Sequence, residues 1–167
     1  MLIDLLSATL QKSKALDAAW GKMDAGEDAV IGVASSARPF LVAARFVADP
    51  RTTLVITAGE DAADTFARTV GAFVGEERVF RYADYEGNPF SVDAPVHPRL
   101  HGTRLEALWA LQSGKPVVVV ASARALLRKV ALLSMHIAKP LVLKQGIDLS
   151  ESPQNGAESF EDLAEVL

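Results

Sequence analysis

The residues with the clearest chemical meaning lie between Gly32 and Pro39, where the chain reads GVASSARP. A phosphate-binding loop has the pattern GxxxxGK[ST] between a strand and a helix, and only its first glycine is present here. Ala37 replaces the second glycine, and its side chain would obstruct backbone N–H groups from approaching a phosphate. Arg38 stands in place of the lysine, and Pro39 replaces the hydroxyl that would bind Mg²⁺. This pattern predicts a degenerate phosphate loop whose residues are Gly32, Ser35, Ser36 and Arg38.

Two interpretations of this loop remain open. Arg38 and the N-terminus of the following helix could still bind an anion, because helix N-termini carry free N–H groups and a partial positive charge. Alternatively, the turn is the remnant of an ancestral nucleotide site and is kept because it packs the sheet, which is the interpretation we favour. We expect no bound cofactor in either case.

Other catalytic constellations are also missing from the sequence. The chain has no cysteine, and its three histidines are too scattered for a convincing zinc site. No apolar strand ends in adjacent carboxylates of the kind that hold a metal beside a nucleotide. We therefore predict no catalytic residues, no metal site and no enzymatic activity for this chain.

The elements that would position the loop alternate between strands and helices. Strand-like runs occur at 52–58, 78–83 and 117–120, and the apolar run 29–34 would be the strand before the loop. Helical spacing is seen at 2–24, after Ser36, and from about 61 to 75, and a further helix opens near Arg104 and stops at Gly114. The loop 84–98 is rich in proline. This alternation predicts an α/β fold with a mostly parallel sheet and flanking helices.

Individual side chains allow more than one role. Arg104 could contact nucleic acid, although an ion pair with Asp84, Glu86 or Asp93 is the interpretation we favour. Arg124, Arg128 and Lys129 form a basic helix that could face DNA or another domain, but such a run is more often a solvated surface. Leu105, Leu108 and Trp109 are expected to form the buried stripe of their helix, and Trp20 and Trp109 to pack in the core.

The segment from Arg78 to Val130 resembles the N-terminal region of bacterial transcription-repair coupling factors (Mfd), which are related to the UvrB subunit of excision repair. The shared features are the strand ending in YADY at 82–85, the proline-containing acidic loop, RLEAL at 104–108, and the strand VVVVAS at 117–122 followed by a basic helix. Weaker similarity covers PLVLKQG at 140–146 and FEDL at 160–163. The resemblance implies a P-loop-NTPase-like domain, similar to UvrB domain 1a, that has lost ATP binding.

The same resemblance implies a domain organisation and partners. Residues 1–143 would form the degenerate NTPase-like domain, and 144–167 would begin a second, truncated domain of the UvrA-binding type. The chain would be a non-catalytic module of a parent protein, an ATP-dependent DNA translocase that displaces stalled RNA polymerase and recruits UvrA. Its partners would be the other domains of that parent and UvrA, with RNA polymerase and DNA reached through the parent. The alternatives are a phosphate-binding enzyme with an unorthodox loop and an orphan adaptor domain.

Bulk composition limits these functions further. The formal net charge of -4 argues against a chain built mainly to coat nucleic acid, which needs a surplus of Lys and Arg. The N-terminal run MLIDLLSATL carries Asp4 and no basic leader, so it does not match a signal peptide. Charges interrupt every apolar stretch before it reaches membrane-spanning length, so we expect no membrane partner and a cytoplasmic location.

Overall fold

The computed structural model describes residues 8, 12–84 and 98–127. All of them belong to the first of two units into which the chain divides, Met1–Arg128 and Lys129–Leu167. The predicted boundary between 143 and 144 and the side chains of Arg128 and Lys129 lie outside the described residues. The same holds for the predicted helix at 2–24 before residue 12, apart from Ala8, which is helical.

Three strands form a parallel sheet, as the sequence predicts. They are β1 (Thr53–Thr57), β2 (Val79–Tyr82) and β3 (Val118–Ser122), arranged in the order β1-β3-β2. Leu54 and Phe80 both stand opposite Val119, so the three strands are in register across the sheet. The central strand is buried along its whole length, which agrees with its uncharged, β-branched sequence.

The described part of the chain contains five helices besides the single helical residue Ala8. They are α1 (Lys14–Asp24), α2 (Arg38–Ala48), α3 (Glu60–Val74), α4 (Pro98–Gln112) and α5 (Ala123–Leu126). Single 3₁₀ turns precede α2 at Ser35–Ala37 and β2 at Glu76–Arg78. The predicted start of α4 near Arg104 was wrong by about six residues. The helix begins at Pro98, a residue whose fixed φ suits the first helical position, so this proline starts the helix instead of ending the loop.

One face of the sheet packs against α2 and α3. Val118 and Val120 of the central strand lie in a buried cluster with Phe46 of α2 and Val70 of α3. The cluster also contains Ala43, Ala63, Ala67 and Val74, and these small residues allow both helices to approach the sheet closely. The helices predicted after Ser36 and from about 61 to 75 are therefore confirmed.

The opposite face packs against α4 and α5, because alternate residues of a strand point to opposite faces. Val119 and Ala121 meet Ala107 and Ala110 of α4 and Ala125 of α5 in a second buried cluster. This cover extends over β3 and β2 only. Two apolar side chains of β1 on this face, Leu54 and Ile56, are more than half exposed.

The predicted buried stripe of α4 was wrong in its orientation. Leu105 is 40% exposed and Trp109 48% exposed, whereas Arg104, Ala107 and Ala110 are buried. Leu108 is half-buried against the second cluster. The helix is rotated so that its small residues pack on the sheet, because alanines let the helix lie closer to the strands than leucine or tryptophan would.

Trp20 is half-buried on α1, where the Arg45 guanidinium lies 5.7 Å from the centroid of its ring.

The apolar run 29–34 is not a strand of the described sheet. Its residues have no regular secondary structure and alternate between half-buried and exposed, and Val30 is 99% exposed. This alternation is typical of a strand, but no described strand pairs with the segment. The strand-loop-helix context predicted for the phosphate loop is therefore incomplete within the described residues.

Among the residues that the structure describes, no helix is long and apolar enough to cross a bilayer.

Candidate functional site

The degenerate phosphate loop begins at Gly32, within the apolar run 29–34, and ends in the first turn of α2. Ser35 and Ser36 are exposed in the 3₁₀ turn, Arg38 is exposed at the first position of α2, and Pro39 is buried behind it. No side chain caps this helix. Gly32 is exposed, and a Cβ added to it would meet nothing within 4 Å. A glycine of a working phosphate loop is needed because the backbone lies close to its ligand or to another chain segment, and Gly32 meets no such constraint from the protein.

Arg104 and Asp84 are the most deeply buried charged residues in the described part of the chain, each with 3% of its surface exposed. The Arg104 Nη1 donates to the carbonyl oxygens of Ala83, at 3.0 Å, and Ala125, at 3.3 Å. The Arg104 guanidinium also lies 3.8 Å from the centroid of the Tyr82 ring. Arg104 thus joins α4 to the end of β2 and to α5 through two carbonyl oxygens and an aromatic ring, and the ion pair predicted for it stays a prediction.

Asp84 and Arg124 form the second part of this arrangement. The Asp84 carboxylate is almost fully buried just after β2, and its Oδ2 lies 2.6 Å from Nε of Arg124. The Arg124 side chain remains 66% exposed, so its other nitrogens stay accessible to water. Next to it, Ser122 caps α5 by accepting a hydrogen bond at 3.1 Å from the backbone N–H of Ala125. Glu86 and Asp93, the other predicted partners of Arg104, lie outside the described residues.

The basic helix predicted at 124–129 is only partly described. Helix α5 ends at Leu126, and Leu127 is in a turn and is largely exposed. Arg124 is therefore the one member of the predicted basic cluster whose position is described, and it pairs with a carboxylate of its own chain. The predicted DNA or interdomain surface formed with Arg128 and Lys129 stays a prediction.

A third charged group, which sequence reasoning missed, is centred on Arg81 of β2. Its Nη2 donates to Oε2 of Glu60 and its Nε to Oδ1 of Asp64, both at 2.7 Å, and its Nη1 donates to the carbonyl of Val120 at 3.1 Å. Two signals were available in the sequence. Arg81 is a charged residue inside an apolar strand, and Glu60 and Asp64 are two acids one helical turn apart.

These charged groups border a cavity of about 580 Å³ at the carboxyl ends of the strands. Parallel α/β sheets commonly bind ligands at this edge. Here the lining includes four carboxylates, those of Glu60, Asp61, Asp64 and Asp84, with Arg81 and Arg99. Arg81 already holds two of the carboxylates, and Arg124 a third. The excess of negative charge disfavours a nucleotide phosphate, and the described residues contain no group of three His, Cys, Asp or Glu that could hold a metal ion.

A larger cavity, of about 700 Å³, lies at the amino ends of the strands. Its floor is formed by Phe46, Phe80 and Val117, and the exposed Trp109 forms part of its wall. Charged side chains of both signs, among them Glu106 and Lys115, surround the opening. An apolar floor with a charged rim suits the docking of a protein or a small apolar molecule better than phosphoryl transfer.

Comparison of this chain with protein-family models, with curated proteins and with solved structures finds no match. Functional inference therefore depends on the arrangement of its own residues.

Proposed function

We propose that this chain is a non-catalytic α/β module of the transcription-repair coupling factor type, with a P-loop-NTPase-like core that has lost nucleotide binding. Its parent protein would translocate on DNA, displace stalled RNA polymerase and recruit UvrA. The similarity of residues 78–130 to that family motivates the family part of the proposal, and the parallel α/β fold is consistent with it.

The observation that carries the non-catalytic part is the carboxyl edge of the sheet. In ligand-binding α/β proteins this edge offers free backbone N–H groups and a glycine-rich turn. In this chain Arg104 uses the carbonyls of Ala83 and Ala125, and ion pairs hold Asp84 and Glu60. The protein's own arginines thus bind carbonyl and carboxylate oxygens along this edge, and this internal pairing of charges supports a role as a scaffold.

A nucleotide-binding enzyme is the main alternative, and calorimetry separates the two. Titration of the chain with Mg-ATP should give no binding tighter than the millimolar range, or about -4 kcal/mol. Exposed Ser36 and Arg38 at the N-terminus of α2 could still hold a free phosphate weakly, so inorganic phosphate serves as the control ligand. Micromolar Mg-ATP binding that is lost in Arg38→Ala would contradict the proposal and favour the enzyme.

The family part needs a separate test. If the UvrA-binding surface lies mainly in sequence that follows residue 167, UvrA should be retained poorly by the 167-residue chain and well by a version extended by roughly one small domain. Full retention of UvrA by the 167-residue chain would place the interaction surface on the described domain. Failure of both chains to retain UvrA would favour the orphan adaptor.

A further inference from the structure

The cavity of about 700 Å³ at the amino ends of the strands, which we call the amino-edge cavity, is built from rigid parts. Its floor belongs to regular elements, with Phe46 on α2 and Phe80 on β2. Pro50 and Pro116 stand in its wall, and a proline ring fixes the backbone angle φ. The floor and the wall therefore lose little conformational entropy when a ligand binds, and a small entropy loss raises affinity.

The exposed apolar surface extends beyond this cavity along α4. Trp109 forms part of the cavity wall and is 48% exposed. Leu105 lies one helical turn before Trp109 on the same side of α4, is 40% exposed and stands outside the cavity wall. A small molecule seated in the cavity would leave Leu105 in water, whereas a polypeptide can cover both side chains. Half-exposed tryptophans beside apolar cavities are typical of the residues that contribute most of the binding energy at protein interfaces.

The opening of the cavity offers one free charge of each sign. Glu106 on α4 and Lys115, between α4 and β3, are exposed, and neither side chain forms an ion pair within the part of the chain that the structure describes. The other two charged residues of the lining are close to each other, with Nε of Arg78 3.6 Å from Oε1 of Glu77. A complementary ligand therefore carries a cation and an anion beside an apolar group.

We propose that the amino-edge cavity and the adjoining side of α4 bind a peptide segment of another protein. The segment would insert a large aromatic or aliphatic side chain between Phe80 and Trp109 and place its next apolar residue on Leu105. A basic residue of the segment would lie near Glu106 and an acidic residue near Lys115. The proposal does not depend on the family assigned above, because it uses only the amino ends of the strands and the end of α4.

A second copy of the chain suits this surface less well than a peptide does. Two-fold pairing sets a surface against itself, so two concave floors would face each other and neither would be filled. A protruding segment of a different protein fills the concave floor directly.

A phage-displayed library of short random peptides, selected on the immobilised 167-residue chain, tests the proposal. Enriched peptides should share a large apolar residue flanked by charges of both signs. A synthetic copy of the leading peptide should move the fluorescence emission of Trp109 to shorter wavelength in the Trp20→Phe chain, where Trp109 is the only tryptophan. In calorimetry, Trp109→Ser should weaken binding of this peptide at least about 30-fold. Met23→Ser, at a residue of α1 that is 52% exposed, is the matched control and should leave the affinity unchanged.

Exchanging the two free charges tests the complementarity separately. Glu106→Lys with Lys115→Glu keeps the net charge, and because both positions are exposed the variant should keep the melting temperature of the unaltered chain. It should bind the selected peptide at least about threefold more weakly, and it should bind a peptide with the acidic and basic residues exchanged more tightly than the unaltered chain does.

Three results would overturn the proposal. The first is that the selection enriches no peptide, and the second is that the selected peptides bind Trp109→Ser as tightly as the unaltered chain. The third is that sedimentation shows a dimer that Trp109→Ser converts to a monomer, since this surface would then belong to a second copy of the chain.

Discussion

Replacing Arg104 by alanine tests whether the contacts of this buried side chain stabilise the carboxyl edge of the sheet. The substitution removes two charge-assisted hydrogen bonds, to Ala83 and Ala125, each worth about 1.5–3 kcal/mol. It also removes the contact with Tyr82, worth about 2 kcal/mol when desolvated. Burying the guanidinium has its own desolvation cost, which the variant no longer incurs. The net loss in the free energy of unfolding should be about 2–6 kcal/mol, because two buried carbonyls lose this donor at a cost of about 1–3 kcal/mol each.

Urea denaturation followed by circular dichroism measures this loss, and Arg68→Ala is the matched control. Arg68 is exposed on α3, and alanine is an equally good helix former, so the control should change stability by less than about 0.5 kcal/mol. Arg104→Lys should recover less than half of the loss, because an ammonium group cannot stack on Tyr82 as a planar guanidinium does.

Chemical rescue makes the test specific to the cavity that the missing side chain leaves. A low concentration of guanidinium should stabilise Arg104→Ala but not Arg68→Ala, because the ion can occupy the vacated site. A concentration five times the dissociation constant would return about 1 kcal/mol. If Arg104→Ala costs less than about 1 kcal/mol and guanidinium has no selective effect, our account of the carboxyl edge is wrong.

Three further predictions follow from other contacts. Arg81→Met should lower the free energy of unfolding by about 1–3 kcal/mol. A double-mutant cycle with Asp64→Asn, measured by urea denaturation, should give a coupling energy of at least about 0.5 kcal/mol. Additive effects of the two substitutions would show that the 2.7 Å contact between Arg81 and Asp64 contributes nothing to stability. Gly75→Ala should cost more than about 1 kcal/mol, because its φ of +99° is a conformation that L side chains rarely adopt, whereas Gly21→Ala in α1 should be neutral or stabilising in thermal melts. Duplex DNA should bind weakly and with steep salt dependence, given the net charge of -4, and tight binding that is insensitive to salt in a gel-shift assay would show that the surface has been misjudged.

Local sequence determined the three strands and the main helices. The runs at 52–58, 78–83 and 117–120 are rich in β-branched or aromatic residues, and each overlaps an observed strand. The end of α3 at Gly75 was also predictable, because glycine can adopt the positive φ required there. These features depend on the backbone preferences of a few neighbouring residues, and those preferences can be inferred from the residue types alone. The alternation of strands and helices then leads to a parallel sheet.

The orientation of α4 could not be derived in this way. Leu105 and Trp109 have the spacing of a buried stripe, yet the neighbouring alanines face the sheet. How closely a helix approaches a sheet depends on the side chains of the strands that it covers, and those strands come from other parts of the chain. Hydrophobic spacing on one helix therefore gives the period of its buried face but not its rotation.

The charged contacts depend even more on tertiary structure. Arg81 is 17 and 21 residues from its two carboxylate partners, and Arg124 is 40 residues from Asp84. The sequence by itself determined that the phosphate loop lacks its lysine, second glycine and Mg²⁺ ligand, because each loss is visible as a residue type at a defined position. Only the tertiary structure decided that Arg104 is buried and bound to two carbonyls. The burial of a charge depends on which distant backbone groups the fold brings within hydrogen-bonding distance.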